Sequence, residues 1–140
     1  MARSFLNLIS VDGRLCRLAE FGFFADAPSF GNGGIVFRAA DKYKRFDLDT
    51  GAITTVETPR TEKSGTQISS PDGRYTVSLK FGSKITNGRG YALMMLRDNE
   101  KITETVLTRF MGSENSIGAE PFSEDSQNIV FFGYPEDELG

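Results

Sequence analysis

The run Ser69-Ser70-Pro71-Asp72-Gly73-Arg74-Tyr75-Thr76-Val77 limits what this chain can fold into more than any other stretch. Proline presets one φ angle of a tight turn, aspartate hydrogen-bonds its own backbone, and glycine accepts positive φ. The β-forming residues from Tyr75 to Phe81 follow at once, so the turn delivers the chain into a strand. A degraded copy lies at Phe122-Ser123-Glu124-Asp125-Ser126-Gln127-Asn128-Ile129-Val130-Phe131, and a shorter one at Phe30-Gly31-Asn32-Gly33-Gly34-Ile35-Val36-Phe37. A second turn chemistry recurs between these copies, at Val11-Asp12-Gly13-Arg14, Asp49-Thr50-Gly51 and Asp98-Asn99-Glu100-Lys101. Aspartate and glycine between short apolar runs are a strong hairpin signal.

No segment keeps a helical period over the ~11 residues that a helix needs. Tyr91-Ala92-Leu93-Met94-Met95-Leu96 is the most helix-compatible by composition, but it is short and follows Gly88 and Gly90, so a strand is expected. Aligning Ile35, Thr76 and Ile129 gives spacings of 41 and 53, and aligning Gly13, Gly51 and Glu100 gives 38 and 49. A period of roughly 40–50 residues carrying four short strands is that of a propeller blade. A β-sandwich also spaces its strands regularly, but it does not need two turn chemistries to alternate in step. The expected fold is all-β, about twelve short antiparallel strands amounting to three blades. It divides into a half-blade at 5–18, blades at 25–56 and 66–107, and a half-blade at 117–133.

Ser70-Pro71-Asp72-Gly73-Arg74-Tyr75 resembles the Ser-Pro-Asp-Gly hairpin between the inner two strands of TolB-like, WD-repeat-like β-propellers. Phe46-Asp47-Leu48-Asp49-Thr50-Gly51 and Leu8-Ile9-Ser10-Val11-Asp12-Gly13 resemble the outer-strand hairpins of the same blades. The copies depart from that pattern where Glu124 and Ser126 replace proline and glycine. The resemblance implies a binding platform, with the propeller part of an enzyme like the oligogalacturonate lyases or prolyl oligopeptidases as the alternative. Such lyases use histidine-bearing metal sites and the peptidases a hydrolase domain, and this sequence has no histidine.

Three blades fall short of the roughly four to eight of closed propellers. An open arc leaves unpaired strand edges, and the two terminal half-blades are complementary. A two-fold homodimer closing a six-bladed ring is therefore expected, unless the chain is one segment of a longer propeller.

The remaining features exclude function classes. The 140 residues carry a net charge of −3 without a basic block, which argues against nucleic-acid binding. The absence of histidine removes the usual general base and the commonest zinc ligand, so no enzyme, cofactor or metal is expected. Asp12, Asp47 and Asp49 read as turn formers rather than as a calcium site. No apolar run approaches the ~20 residues of a membrane span, and the polar start lacks a secretory core, so a cytoplasmic protein is expected. The single cysteine, Cys16, alternates with apolar neighbours and reads as a buried thiol.

Binding residues are expected on the face where loops joining second to third strands, and one blade to the next, gather around the axis. Those loops place Phe23 and Phe24 beside Lys42, Arg60, Lys84, Arg89 and Arg109. Aromatics and cations together suit a protein partner or a small carboxylate-bearing or saccharide-like ligand.

Overall fold

The computed structural model describes the chain apart from residues 1–3, 32, 40, 58–66, 87–88 and 136–140. Its first local rule is the serine–aspartate turn. In the turn after Ser69, the Ser70 hydroxyl donates to Asp72 Oδ1 (2.7 Å) and accepts from the Tyr75 amide (3.0 Å), while the Arg74 amide donates to Asp72 Oδ1 (3.0 Å). The degraded copy repeats every bond. Ser123 Oγ donates to Asp125 Oδ1 (2.5 Å) and accepts from the Asn128 amide (3.0 Å), and the Gln127 amide donates to Asp125 (3.0 Å). Ser126, at φ 63, stands where Gly73 stands at φ 76. The turn thus survives the loss of both proline and glycine, because serine and aspartate carry its hydrogen bonds.

These turns link twelve strands among the described residues into three antiparallel sheets. The first blade runs β3 (Asp26–Gly31), β4 (Gly34–Ala39), β5 (Lys42–Asp47) and β6 (Ile53–Val56) in sequence order. The second blade holds β7 (Gln67–Ser69), β8 (Tyr75–Thr86), β9 (Arg89–Asp98) and β10 (Thr103–Gly112), with β12 (Tyr134–Pro135) added outside β10. The third blade is composite: β11 (Asn128–Phe132) pairs with β1 (Ser4–Ser10), which pairs with β2 (Leu15–Phe21). Phe122, joined to Ile129 by an isolated bridge, stands on the inner side of β11. The first and second blades carry four blade strands each in propeller order, so the fold is all-β and propeller-like.

The composite blade changes one expectation. Leu6 lies opposite Phe132 and Ile9 opposite Ile129, so the two half-blades complete each other within one chain. The edges that a second copy was expected to fill are filled in cis. Three further details differ. Lys84 and Arg89, expected on a loop, lie in strands, because β8 and β9 continue their ladder to Thr86 and Arg89. The positive φ matching Gly51 belongs to Ile102, not Glu100, since Asp98 accepts from the Glu100 and Lys101 amides as Asp47 does from those of Asp49 and Thr50. Cys16 is exposed, because β2 is the outer edge of its sheet.

The core explains the order of the blades. Along β11, Ile129 and Phe131 join a cluster with Val77, Leu79, Met94 and Leu96 of the second blade. The alternate residues Val130 and Phe132 join Ile35, Phe37 and Phe46 of the first. Side chains alternate across a strand, so the composite blade buries both faces and sits between the other two. Neither cluster contains residues of both the first and the second blade.

Candidate functional site

The alignment of Ile35, Thr76 and Ile129 holds in space: each lies across the inner hairpin close to its turn, opposite Phe30, Ser69 and Phe122 respectively. The three therefore point the same way around the axis. Ile35 and Phe37 meet the composite blade, and Ile129 and Phe131 meet the second blade. At the equivalent positions the second blade offers Thr76 and Ser78, which are half-exposed. A hydroxyl pair where the other blades present isoleucine and phenylalanine leaves nothing to drive a third apolar contact. The first and second blades consequently stand apart, and a groove opens between them along the axis.

This groove encloses about 920 Å3. Its apolar lining comes from all three blades: Phe30 and Leu48 from the first, Ile68 and Pro71 from the second, Pro121 and Phe122 from the composite blade. Gly31, Gly33 and Gly34 bring bare backbone to one wall, and a side chain at Gly34 would collide with the Phe46 carbonyl. The wall shared by the composite and first blades is sewn by hydrogen bonds from main-chain amides. Gly118 N donates to Pro28 O (3.0 Å), Phe30 N to Glu120 O (2.9 Å) and Glu120 N to Ser29 Oγ (3.1 Å). On the other side, Asp72 N donates to Ser126 Oγ (3.2 Å), tying the second blade's turn to the composite blade's.

The groove is acidic. Glu120, Glu124 and Asp125 line it, and none of its described lining residues is lysine or arginine. The Ser123 hydroxyl, with the Gln127 amide, holds the Asp125 carboxyl below its usual range, so it stays ionised. Glu120 and Glu124 are exposed. Arg45 passes beside Gly33, where its guanidinium pairs with Asp47 at 3.4 Å. The site lies at the end of the axis where the inner-hairpin turns gather, opposite the loops on which binding residues were expected.

Four of the seven expected residues, Phe23, Phe24, Lys42 and Arg109, have described side chains, and these do not come together as one site. Phe23 stacks on Phe21 (5.1 Å between centroids) and on Phe37 (6.5 Å), so it extends the core between the composite and first blades. Phe24 is 49% exposed and lines a cavity of about 40 Å3 with Asp26, Ser116 and Tyr134. Lys42 is exposed at the start of β5. Arg109 lies within β10 rather than in a loop, its guanidinium 4.5 Å from the Tyr91 ring centre. Lys84 and Arg89 are strand residues whose side chains lie outside the described part, and Arg60 lies wholly outside it. Sequence reasoning missed the groove because nothing in the sequence fixes how far apart Glu120, Glu124 and Asp125 stand. The apolar Ile68, Pro71 and Phe122 beside those turns were the available signal.

No family model and no curated protein matches the chain. Among solved structures the fold is similar to one described as "putative TolB from Agrobacterium tumefaciens", with a TM-score of 0.68 and 9% sequence identity. The match covers 94% of this chain and 98% of that one. At that identity the likeness concerns the fold, and it agrees with the TolB-like resemblance of the turns.

Proposed function

We propose that this protein is a non-catalytic β-propeller interaction module whose axial groove seats an extended segment of a partner protein bearing both cationic and apolar side chains. The observation that carries this reading is the groove itself: about 920 Å3, with apolar walls from three blades and three carboxylates unaccompanied by a cation among its described lining residues. Concave sites of this size with a few placed polar groups are the usual form of a binding site. Exposed ion pairs contribute only about 0.2–1 kcal/mol each, so the carboxylates would select charge while the apolar walls supply most of the affinity. The sign is opposite to the carboxylate-bearing ligand expected for the far face.

Calorimetric titration with a capped alternating Lys-Leu hexapeptide, against its Glu-Leu counterpart, tests the reading. The Lys-Leu peptide should bind, weaken as salt rises, and weaken further with Glu120→Gln and Glu124→Gln. Equal binding of the two peptides, or indifference to both substitutions, would refute it.

A further inference from the structure

The outer strand of each blade presents one unpaired row of backbone donors and acceptors, and proteins guard such edges with charge, proline, bulges or a covering segment. Two of the three outer edges here are guarded. β10 carries Glu104 and Arg109, shifts register between Val106 and Thr108, and is capped at Phe110 and Met111 by β12. β2 carries Arg17 and Glu20, and its ladder with β1 shifts between Leu6 and Asn7. Among the described residues the first blade's edge has none of these devices. β6 reads Ile53-Thr54-Thr55-Val56, four β-branched residues without charge or proline, in unbroken register with β5 from Phe46 to Tyr43. It closes the sheet order, and Ile53, Thr54 and Thr55 are exposed.

We propose that β6 is an assembly edge that pairs antiparallel with β6 of a second copy of this chain. The self-pairing follows from the strand's own chemistry. A two-fold axis through the edge at Thr54 sets Thr54 against its own copy, Ile53 against Thr55 and Val56 against Ala52 of the other molecule, so β-branched residues meet in the three central rows and no charge meets its like. Each edge would then receive the main-chain partners it lacks, as in strand addition generally. Ile53, 40% exposed, would gain an apolar neighbour. The assembly is two three-blade units joined edge to edge, which differs from a six-bladed ring and leaves both axial grooves open. It does not depend on what the groove binds.

Sedimentation across a concentration series tests the proposal with the protein as it stands. The unaltered chain should approach about twice its 15.4 kDa mass at high concentration, with amide exchange slowed at residues 53–56. Thr54→Glu places a carboxylate beside Arg45 across β5, which the fold accommodates, yet sets two like charges against each other on the two-fold axis. It should abolish the dimer and leave the circular dichroism and melting midpoint of the monomer unchanged. A chain that stays at 15.4 kDa throughout, a dimer that survives Thr54→Glu, or a larger closed or open assembly would each overturn it.

Discussion

The side-chain amide of Asn7 donates to the carbonyl oxygen of Gly133 at 3.0 Å, joining residues 126 positions apart. Asn7 is fully buried, and the same nitrogen also donates to Phe5 O at 3.1 Å. The bond stands where β11 ends, at the closing corner of the composite blade, and Gly133 N returns a bond to Phe5 O at 3.2 Å. The amino- and carboxy-terminal segments are thus held together by side-chain chemistry as well as by the ladder.

Replacing Asn7 with alanine should therefore act on the whole molecule. It strands a buried carbonyl, which costs about 1–3 kcal/mol, partly offset by removing Asn7 Oδ1, a buried atom without a hydrogen-bond partner among the described residues. The expected loss is about 1–2 kcal/mol in urea denaturation, with amide exchange accelerated in β1 and β11 together. A loss confined to the strand ends, with the β1–β11 ladder still protected, would show that the bond does not close the blade.

Ile102 is a strained residue in the place of a glycine. Its φ is 55 and its side chain 74% exposed, whereas the equivalent Gly51 sits at φ 76. A β-branched residue in the left-handed region carries a penalty on the order of 1–2 kcal/mol, and here no burial offsets it. Ile102→Gly should raise stability by about 1 kcal/mol, and Gly51→Ile should lower it by a similar amount. Thermal melting of the pair decides the matter, because neutrality of both substitutions would mean that the turns do not hold these angles.

Much of this architecture was legible beforehand, for a physical reason. Turn chemistry is local, so Ser70-Pro71-Asp72-Gly73 announced its hairpin without help from the rest of the chain. The spacing of Ile35, Thr76 and Ile129 announced the blades. What could not be read was which edges meet: the half-blades fit each other equally well within a chain or between chains, and only the placement of β11 beside β1 distinguishes the two. The groove was hidden for a related reason. It exists because Thr76 and Ser78 occupy positions that build cores in the other blades, and two hydroxyl residues on an alternating strand look unexceptional in sequence.

Ser126 illustrates how a departure from a motif can be functional in the fold. It replaces the glycine of the inner turn at φ 63, is 1% exposed, and accepts the Asp72 amide of the neighbouring blade at 3.2 Å. Ser126→Ala keeps the unfavourable angle and loses the bond, so it should cost about 1–2 kcal/mol. Ser126→Gly also loses the bond but relieves the angle, so it should cost less by about 1 kcal/mol. Chemical denaturation of both variants separates the contributions. Equal losses would mean that the angle is unstrained, and no loss in either would mean that the two turns are not tied through this hydroxyl.

The hairpin aspartates set the response to acid. Asp72 and Asp125 are held below the ordinary value of 3.8 chiefly by the Ser70 and Ser123 hydroxyls, with the Arg74 and Gln127 amides next. Asp12 is lowered chiefly by the Ser10 hydroxyl, and Asp47 by the Thr50 and Asp49 amides. At Asp98, burial pulls the carboxyl up, but Arg74 and the Lys101 and Glu100 amides outweigh it. A carboxyl with a lower value in the folded state than in the unfolded one binds fewer protons when folded, so its stabilisation is complete above the unfolded value and is lost as pH falls through the folded one. Stability should thus be level above roughly pH 5 and fall progressively below about pH 4, as the five turn carboxyls protonate. Asp125→Asn, which keeps an acceptor for the Gln127 amide but cannot titrate, should make that acid limb shallower by lowering stability at neutral pH while changing it least at the acid end. Urea midpoints measured between about pH 2 and 6 give the slope directly. An unchanged slope in Asp125→Asn would show that the turn stabilises its neutral form as well as its ionised one.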